Sequence, residues 1–134
     1  IKYTGLDITP GMIKESKKKF PKISFIQGTI DHPTIRTQNF DYIVASGIFF
    51  LRKDKPVQYL KKTIKKMFNL SKKGIAFNNL SLWNENLGDL DEYRADPIEI
   101  INFCKTLTHS IIFRHDYHLG DFTVYLYHTK SINK

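Results

Sequence analysis

Apolar positions along this chain follow two periods, one typical of buried strands and the other typical of amphipathic helices. Four short runs, residues 1–8, 23–27, 40–45 and 75–79, are rich in apolar and β-branched residues and are predicted strands. The run 40–45 is almost continuously apolar, which is typical of a strand covered on both faces in a parallel sheet.

Three longer stretches carry apolar residues at intervals of three and four, which predicts helices over residues 10–20, 54–70 and 96–108. Thr9 precedes the first helix and Asp96 begins the third. Both are residue types that cap helix N-termini, and a proline follows each of them. An acid three residues after Asp96 completes a capping-box pattern.

The segments between these elements contain turn signals. Gly74 is predicted to end the second helix. Residues 29–39 are predicted to form a loop with one helical turn, and residues 80–93 an irregular polar segment. Two further strand-like runs, 111–117 and 122–127, lie on either side of a Gly-Asp pair, which predicts an antiparallel hairpin.

The predicted elements alternate between strands and helices before the closing hairpin. This order indicates an α/β fold, with a mostly parallel sheet, helices on both of its faces and a C-terminal antiparallel hairpin. A chain of 134 residues suffices for one core, so residues 1–134 are expected to form a single domain. Ligands of such sheets bind where loops leave the carboxyl ends of the strands.

The composition narrows the class of protein. A content of 41% hydrophobic and 25% charged residues is typical of a globular chain and excludes a disordered one. No apolar run reaches the roughly 20 residues of a membrane-spanning helix. The one cysteine, Cys104, excludes a disulfide within the chain, and its place on an apolar helix face predicts a buried, inert thiol. We therefore expect a soluble, cytoplasmic protein with no membrane partner.

The net charge of +8 is compatible with a nucleic-acid partner. The lysines, however, cluster at residues 17–19, 61–62, 65–66 and 72–73, each on or just after a predicted helix. Solvated helix faces and cations near helix ends account for such clusters. Nucleic acid is therefore a partner that the charge permits but does not favour.

Three loops are predicted to meet at the ligand edge of the sheet. Asp7 ends the first strand, where an acid accepts hydrogen bonds from ribose hydroxyls, although an acid there also favours the helix dipole. Glycines in the next two loops let a flat purine approach the backbone, although turn geometry alone also explains them. Two isoleucines could sandwich the purine and a second acid could accept from its amine. The candidate nucleoside site consists of Asp7, Ile8, Gly28, Thr29, Ile30, Asp31, Ser46, Gly47 and Ile48.

Other chemistry-bearing residues form weaker patterns. His115 and His118 are three apart near a strand end, where their side chains face opposite ways, so no metal site is predicted. Trp83, Tyr93, His115 and Tyr117 could line a substrate pocket or belong to the core and its rim. The sequence identifies no catalytic residue.

Taken together, these segments resemble the class I S-adenosylmethionine-dependent methyltransferases, which have a Rossmann-like sheet. The most specific match is residues 3–13, Tyr-Thr-Gly-Leu-Asp-Ile-Thr-Pro-Gly-Met-Ile, which are similar to the family's second strand and following helix. Residues 25–28 and 40–49 are similar to its third and fourth strands, residues 70–78 to the run into its fifth strand, and residues 122–125 to its last strand.

The resemblance implies S-adenosylmethionine as the cofactor. By it, Asp7 would hold the ribose hydroxyls, Ile8 and Ile30 would flank the adenine, and Ser46–Ile48 would line the methionine side of the pocket. The family usually has an acid directly after the glycine of the second loop. This chain has a threonine there, so the acid two residues later ranks below Asp7.

The family's first strand, which is central in its sheet, and its glycine-rich loop have no counterpart in this chain. The resemblance therefore implies a partial, N-terminally truncated domain with its first central strand missing. A preceding segment or a second copy of the chain, as in a homodimer, would complete the sheet. Such a fragment is expected to bind the cofactor poorly and to have weak or no activity.

The leading functional prediction is methyl transfer from S-adenosylmethionine to an unidentified acceptor. An alternative is a non-catalytic Rossmann-like binding module that uses its basic surface to hold RNA or a protein partner. A nicotinamide-dependent reductase shares the acid at the end of the second strand, but the closing hairpin resembles methyltransferases more closely.

Overall fold

The computed structural model describes residues 1–51, 54–86 and 91–129. Its elements alternate in the predicted order. They are β1 (Thr4–Asp7), α1 (Pro10–Lys19), β2 (Ser24–Gln27), α2 (Pro33–Arg36), β3 (Phe40–Ala45), α3 (Pro56–Leu70), β4 (Ser71–Leu80), α4 (Pro97–Cys104), β5 (Ile111–Arg114) and β6 (Asp121–Tyr127). In the described part of the chain, no helix has the length and apolar character needed to cross a bilayer.

The chain divides into two compact units, of which the first is Ile1–Gln38. Its strands β1 and β2 are parallel and in register from Thr4 opposite Ser24 to Asp7 opposite Gln27. Helix α1 contacts both strands. Because the strands are parallel, the loops that follow Asp7 and Gln27 leave the same edge of this small sheet.

The second unit, Asn39–Lys134, contains a four-stranded sheet in the order β3-β4-β6-β5. Strand β3 is parallel to β4, and β6 runs antiparallel to both β4 and β5, which confirms the predicted hairpin. Helix α3 contacts β3 and β4. Leu60, Ile64 and Met67 of α3 are buried, as are Phe77 of β4 and Phe122 of β6, so the core of this unit includes one face of its sheet.

The helix starts differ in how they are capped. Asp96 accepts a hydrogen bond from the Ile98 N–H at 3.0 Å, which confirms the predicted cap of α4. Thr9 occupies the N-cap position of α1, but its side chain makes no cap hydrogen bond, so the predicted role of its hydroxyl is wrong. The Asp7 carboxylate instead accepts the N–H of Thr9 itself at 2.8 Å, which fixes the residue that precedes the helix.

The prediction that Gly74 ends a helix is wrong, because this residue lies inside β4. Helix α3 ends at Leu70 and β4 begins at the next residue, four residues earlier than predicted. A Cβ atom at Gly74 would lie 2.5 Å from the carbonyl oxygen of Leu126 on the adjacent β6. The glycine is therefore explained by a close approach of two strands rather than by a helix terminus.

The apolar sequence of β3 predicts a strand covered on both faces, and this prediction is wrong. Its residues Tyr42 and Val44 are 57% and 71% exposed. Among the described residues, β3 has β4 as its one strand neighbour, and β1 likewise has only β2.

Candidate functional site

The first unit brings Asp7 next to the loop that follows β2. The Gly28 N–H donates to the Asp7 carbonyl oxygen at 2.9 Å, so this loop starts directly beside the end of β1. The Asp7 carboxylate is half-buried and accepts the Thr9 N–H at the start of α1. That bond fixes the direction of the carboxylate while leaving it accessible, as a ligand for hydroxyl groups must be.

The loop after β2 presents its side chains to solvent. Thr29 and Asp31 are exposed and Ile30 is half-buried, and the Thr29 hydroxyl accepts the Asp31 N–H at 3.3 Å. His32, which the sequence did not single out, accepts the Thr34 N–H through Nδ1 at 3.2 Å and so caps α2. Ile8, at the start of the loop after β1, is also exposed.

The second unit fixes the loop after β3 to the end of the neighbouring strand β4. Gly47 has a φ of 69°, in the left-handed region that favours glycine. Its N–H donates to the side-chain carbonyl of Asn78 at 2.9 Å. Ser46 and Ile48, on either side of it, are exposed. Turn geometry therefore explains this glycine, and the same turn displays its two neighbours at the carboxyl edge.

A cavity of about 250 Å³ opens at this carboxyl edge of the second unit. Gly47 is the one predicted site residue in its lining. The lining residues are Gly47, Phe49, Phe50, Asn78, Asn79, Leu80, Glu92 and Asp121. One signal could have found part of it in the sequence, namely two consecutive asparagines at the end of an apolar strand.

Residues 92–94 lie at the rim of this cavity, and Glu92 belongs to its lining. Glu92 forms a bridge with Leu51, and the Tyr93 N–H donates to the Phe50 carbonyl at 2.7 Å. Arg94 donates to the Glu92 carboxylate at 3.1 Å. The predicted irregular segment is therefore held against the loop after β3 by backbone hydrogen bonds, which its polar sequence did not indicate.

Among the titratable groups near the site, one phenol is strongly shifted. Burial, together with the smaller effect of the negative charge of Glu99, raises the pKa of Tyr93 to about 12. Tyr93 therefore stays protonated at neutral pH and cannot act there as a base. Cys104 is buried, as predicted, and burial raises the pKa of its thiol to about 12, so the thiol stays protonated at neutral pH.

The remaining candidates lie outside the lining of the cavity. His115 stacks on Trp83, with ring centroids 5.2 Å apart, and its Nε2 lies 2.8 Å from the Ser81 hydroxyl. The Tyr117 hydroxyl lies 2.6 Å from that of Thr123. In the described residues, no three His, Cys, Asp or Glu side chains are grouped so that they could hold a metal ion.

The predicted cofactor residues thus fall into two groups, each at the carboxyl edge of a parallel strand pair. Asp7 and Ile8 lie together with Gly28–Asp31 in the first unit, and Ser46–Ile48 lie in the second. The side chains of both groups are at least partly accessible to solvent.

Comparison with known proteins gives a consistent family signal. Residues 1–74 match the model of a family described as a methyltransferase domain. The Mycobacterium tuberculosis protein Rv1506c, whose name describes it as a methyltransferase, is 31% identical over 132 residues, which span 91% of this chain and 76% of that protein.

Solved structures show a similar fold. Magnesium protoporphyrin IX methyltransferase from Synechocystis PCC 6803 with bound SAH has a TM-score of 0.72 at 10% identity, over 94% of this chain and 64% of the other. The N-methyltransferase NodS from Bradyrhizobium japonicum, in complex with S-adenosyl-L-homocysteine, has a TM-score of 0.64 at 15% identity, over 95% and 66%. At these identities the likeness is one of fold, and this chain spans less than two thirds of either structure.

Proposed function

Because the chain belongs to the class I S-adenosylmethionine-dependent methyltransferases, with S-adenosylmethionine as its cofactor, we propose that it transfers the methyl group of that cofactor to an acceptor molecule. The observation that carries the proposal is the position of Asp7. Its accessible carboxylate ends β1 beside the loop after β2, within the residues that match the family.

Methyl transfer requires little acid–base catalysis from the protein. When bound, the cofactor would supply an activated methyl group on a positively charged sulfur, which would leave as a neutral thioether once an acceptor lone pair has bonded to the methyl carbon. The acceptor's displaced proton passes to water. The chain's own residues therefore act mainly by binding and orienting the two molecules. This agrees with a site in which Tyr93 stays protonated.

In this proposal the first unit binds the nucleoside end of the cofactor. Asp7 accepts hydrogen bonds from the ribose hydroxyls, and Ile8 and Ile30 lie against the faces of the adenine. Asp31 accepts from the adenine amine. The partial exposure of these four side chains supports the assignment, because residues that serve only the core are covered. Gly28 and Thr29 contribute backbone close to the ring.

The turn after β3, in the second unit, carries the remaining proposed cofactor residues. Ser46, Gly47 and Ile48 line the methionine side of the cofactor, on a turn fixed by the Gly47–Asn78 hydrogen bond. A rigid turn supports positioning, because little ordering remains to be done when the ligand binds.

The proposal includes a single partial domain over residues 1–134, acting in the cytoplasm, where a lone buried thiol such as Cys104 stays reduced. We expect this chain alone to bind weakly, because the resemblance assigns the glycine-rich loop to a segment outside it. A preceding segment completes the sheet in this view, and a homodimer is the alternative.

Titration with S-adenosylhomocysteine tests the proposal. The ligand is added to this chain and to a version extended upstream, and heat and melting temperature are measured. We expect binding to the extended chain at the least. Asp7→Ala should weaken it about tenfold or more, because hydrogen bonds to a charged group are lost. Asp41→Ala, which removes an exposed aspartate in the body of β3, is the matched control and should leave binding unchanged.

The dependence of binding on salt concentration distinguishes this function from that of an RNA-binding module. Binding of S-adenosylhomocysteine should change little between 50 and 200 mM salt, whereas binding through phosphate contacts weakens steeply. If neither chain binds S-adenosylhomocysteine, or if Asp7→Ala binds as tightly as the wild type, the assignment of this site is wrong.

A further inference from the structure

Positive charge is concentrated at the C-terminal end of α1, in the first unit. Residues 14–22 contain one acid, Glu15, and five lysines. The lysines are Lys14, Lys17, Lys18, Lys19 and Lys22. All five are exposed, and within the described part of the chain none of them forms an ion pair with an acidic side chain. Unpaired charges of one sign attract an anionic partner.

An exposed apolar pair, Phe20 and Pro21, lies among these lysines. Phe20 is 47% exposed, and the Lys19 ammonium lies 5.5 Å from the centroid of its ring. The Phe20 N–H donates to the Ser16 carbonyl at 2.8 Å, and the Ile23 N–H donates to the Phe20 carbonyl at 3.0 Å. These bonds fix the backbone that holds the ring at the surface. We call the five lysines and this pair the α1 patch.

The stability of α1 explains only part of this patch. Cations in the last turn of a helix interact favourably with its dipole, which accounts for Lys17–Lys19. It does not account for Lys14, one turn earlier, for Lys22, beyond the end of the helix, or for the exposed ring of Phe20. Dense positive charge around exposed apolar groups is typical of a surface that binds an anionic and partly apolar partner.

We propose that the α1 patch binds the surface of an anionic membrane. The lysines lie among the anionic headgroups, while Phe20 and Pro21 enter the boundary between headgroups and acyl chains. The apolar stems of the lysines extend along this boundary, and their ammonium groups stay among the headgroups. A single-stranded nucleic acid fits less well, because its sites stack successive bases on aromatic rings, and Phe20 is the one aromatic residue in 14–22.

The position of the α1 patch leaves the proposed cofactor residues of the first unit free. Strands β1 and β2 are parallel, and α1 begins just after Asp7 at their carboxyl edge and ends before Ser24 at the opposite edge. Asp7 and the patch therefore lie at opposite ends of α1, and the inference does not rest on the proposed function. The expectation of no membrane partner rested on the lack of a long apolar run, which a surface contact does not need.

Sedimentation with lipid vesicles tests the inference on the whole chain. Vesicles of phosphatidylcholine with about 30% phosphatidylserine should bind the chain at least about tenfold more tightly than vesicles of phosphatidylcholine alone, because only the former are anionic. Raising the salt concentration from about 0.1 to 0.5 M should weaken this binding, since salt screens the charges of the lysines and the lipids.

The double variant Lys18→Gln, Lys22→Gln tests the charged part of the patch. A lysine near an anionic surface strengthens binding about fivefold, so this variant should bind the phosphatidylserine vesicles about 25-fold more weakly. Lys62→Gln with Lys65→Gln, at exposed positions of α3, is the matched control. It removes the same charge but leaves the patch intact, so it should weaken binding less than about threefold.

Phe20 tests the apolar part of the patch. Phe20→Ser should weaken binding to the phosphatidylserine vesicles about tenfold or more, because a phenylalanine side chain no longer leaves water. Phe20→Trp keeps an aromatic ring and should retain the binding. The added tryptophan fluorescence should be quenched by lipids brominated in their acyl chains, which reports entry of this residue into the bilayer.

Several outcomes overturn the inference. Equal binding of vesicles with and without phosphatidylserine does so on the wild-type chain, so the test survives a variant that fails to fold. An equal loss in the two double-lysine variants assigns the binding to net charge rather than to the α1 patch. If a single-stranded RNA oligonucleotide binds more tightly than the vesicles, and Lys18→Gln with Lys22→Gln abolishes that binding, the patch is assigned to nucleic acid instead.

Discussion

At Gly74 the backbones of two strands approach so closely that a side chain does not fit. A Cβ atom there would lie 2.5 Å from the Leu126 carbonyl oxygen and 3.1 Å from the Tyr127 ring. The carbonyl belongs to the β4–β6 ladder and cannot move aside without disturbing it. We expect Gly74→Ala to lower the free energy of unfolding by about 1–3 kcal/mol, the cost typical of overpacking, measured by urea denaturation.

Gly11→Ala is the matched control for this prediction. Gly11 lies in α1, and a Cβ atom there would have nothing within 4 Å. Alanine should therefore raise the free energy of unfolding by about 0.5–1 kcal/mol, because it favours the helix. Equal stability of the Gly74→Ala and wild-type chains would show that β6 yields easily at this point.

The same residue shows why single positions are hard to interpret from sequence. A glycine after an amphipathic helix favours a helix end, and the helix does end four residues earlier. What places Gly74 in a strand is its pairing with Tyr127, more than fifty residues away in the chain. Local patterns contain no information about such a neighbour.

At the scale of elements, His128 joins the end of α3 to the segment after β6. Its ring stacks on Phe68 with centroids 3.9 Å apart. Its Nε2 lies 3.0 Å from the Phe68 carbonyl and 3.1 Å from the Ser71 hydroxyl. We expect His128→Ala to lower the free energy of unfolding by about 1–2 kcal/mol, through the lost stacking and one lost hydrogen bond.

Chemical denaturation of His109→Ala provides the comparison. His109 is exposed, in the turn between α4 and β5. Its removal should change stability by less than about 0.5 kcal/mol, as surface substitutions usually do. If the two histidine variants are equally stable, the stacked ring of His128 contributes no more than a solvent-exposed one.

The order of the elements could be predicted because each has its own period. The helix α3 and the strand β3 were predicted within two residues of their bounds, since their apolar spacing and flanking residues agree. The start of β4 was predicted late, because its polar first residues are paired with β3 and β6 rather than marked by hydrophobicity. Coverage of β3 was predicted wrongly for a similar reason, since burial depends on what lies beside a strand.

The candidate site, too, could be predicted from the sequence only in part. Asp7 and the loops of Gly28 and Gly47 could be predicted from the sequence, because every parallel strand ends at the ligand edge. The cavity of the second unit could not be predicted in this way, because its lining depends on contacts between distant parts of the chain. Asn78 is 31 residues from Gly47, to which it is bonded, and Asp121 reaches this edge through antiparallel pairing with Leu80.

At the scale of the whole molecule, the two compact units differ in the size of their cores. In residues 1–38 the buried hydrophobic side chains are those of Ile13 and Ile35. The second unit buries a much larger set, which includes Leu60, Ile64 and Phe77. Burial of apolar surface is the main source of stability, and a two-stranded sheet is marginal without it. The first unit is therefore expected to open more often than the second.

Hydrogen exchange measured by mass spectrometry tests this difference. Peptides that cover β1 and β2 should exchange at least about tenfold faster than peptides that cover β4 and β6, because local opening requires less free energy where little apolar surface is buried. Equal protection of the two sheets contradicts the expectation. The same experiment links stability to function, because S-adenosylhomocysteine added to a chain that binds it should slow exchange at the end of β1, where Asp7 lies. Slower exchange only in the second unit would instead assign ligand binding to the turn at Gly47 and leave Asp7 without a part in it.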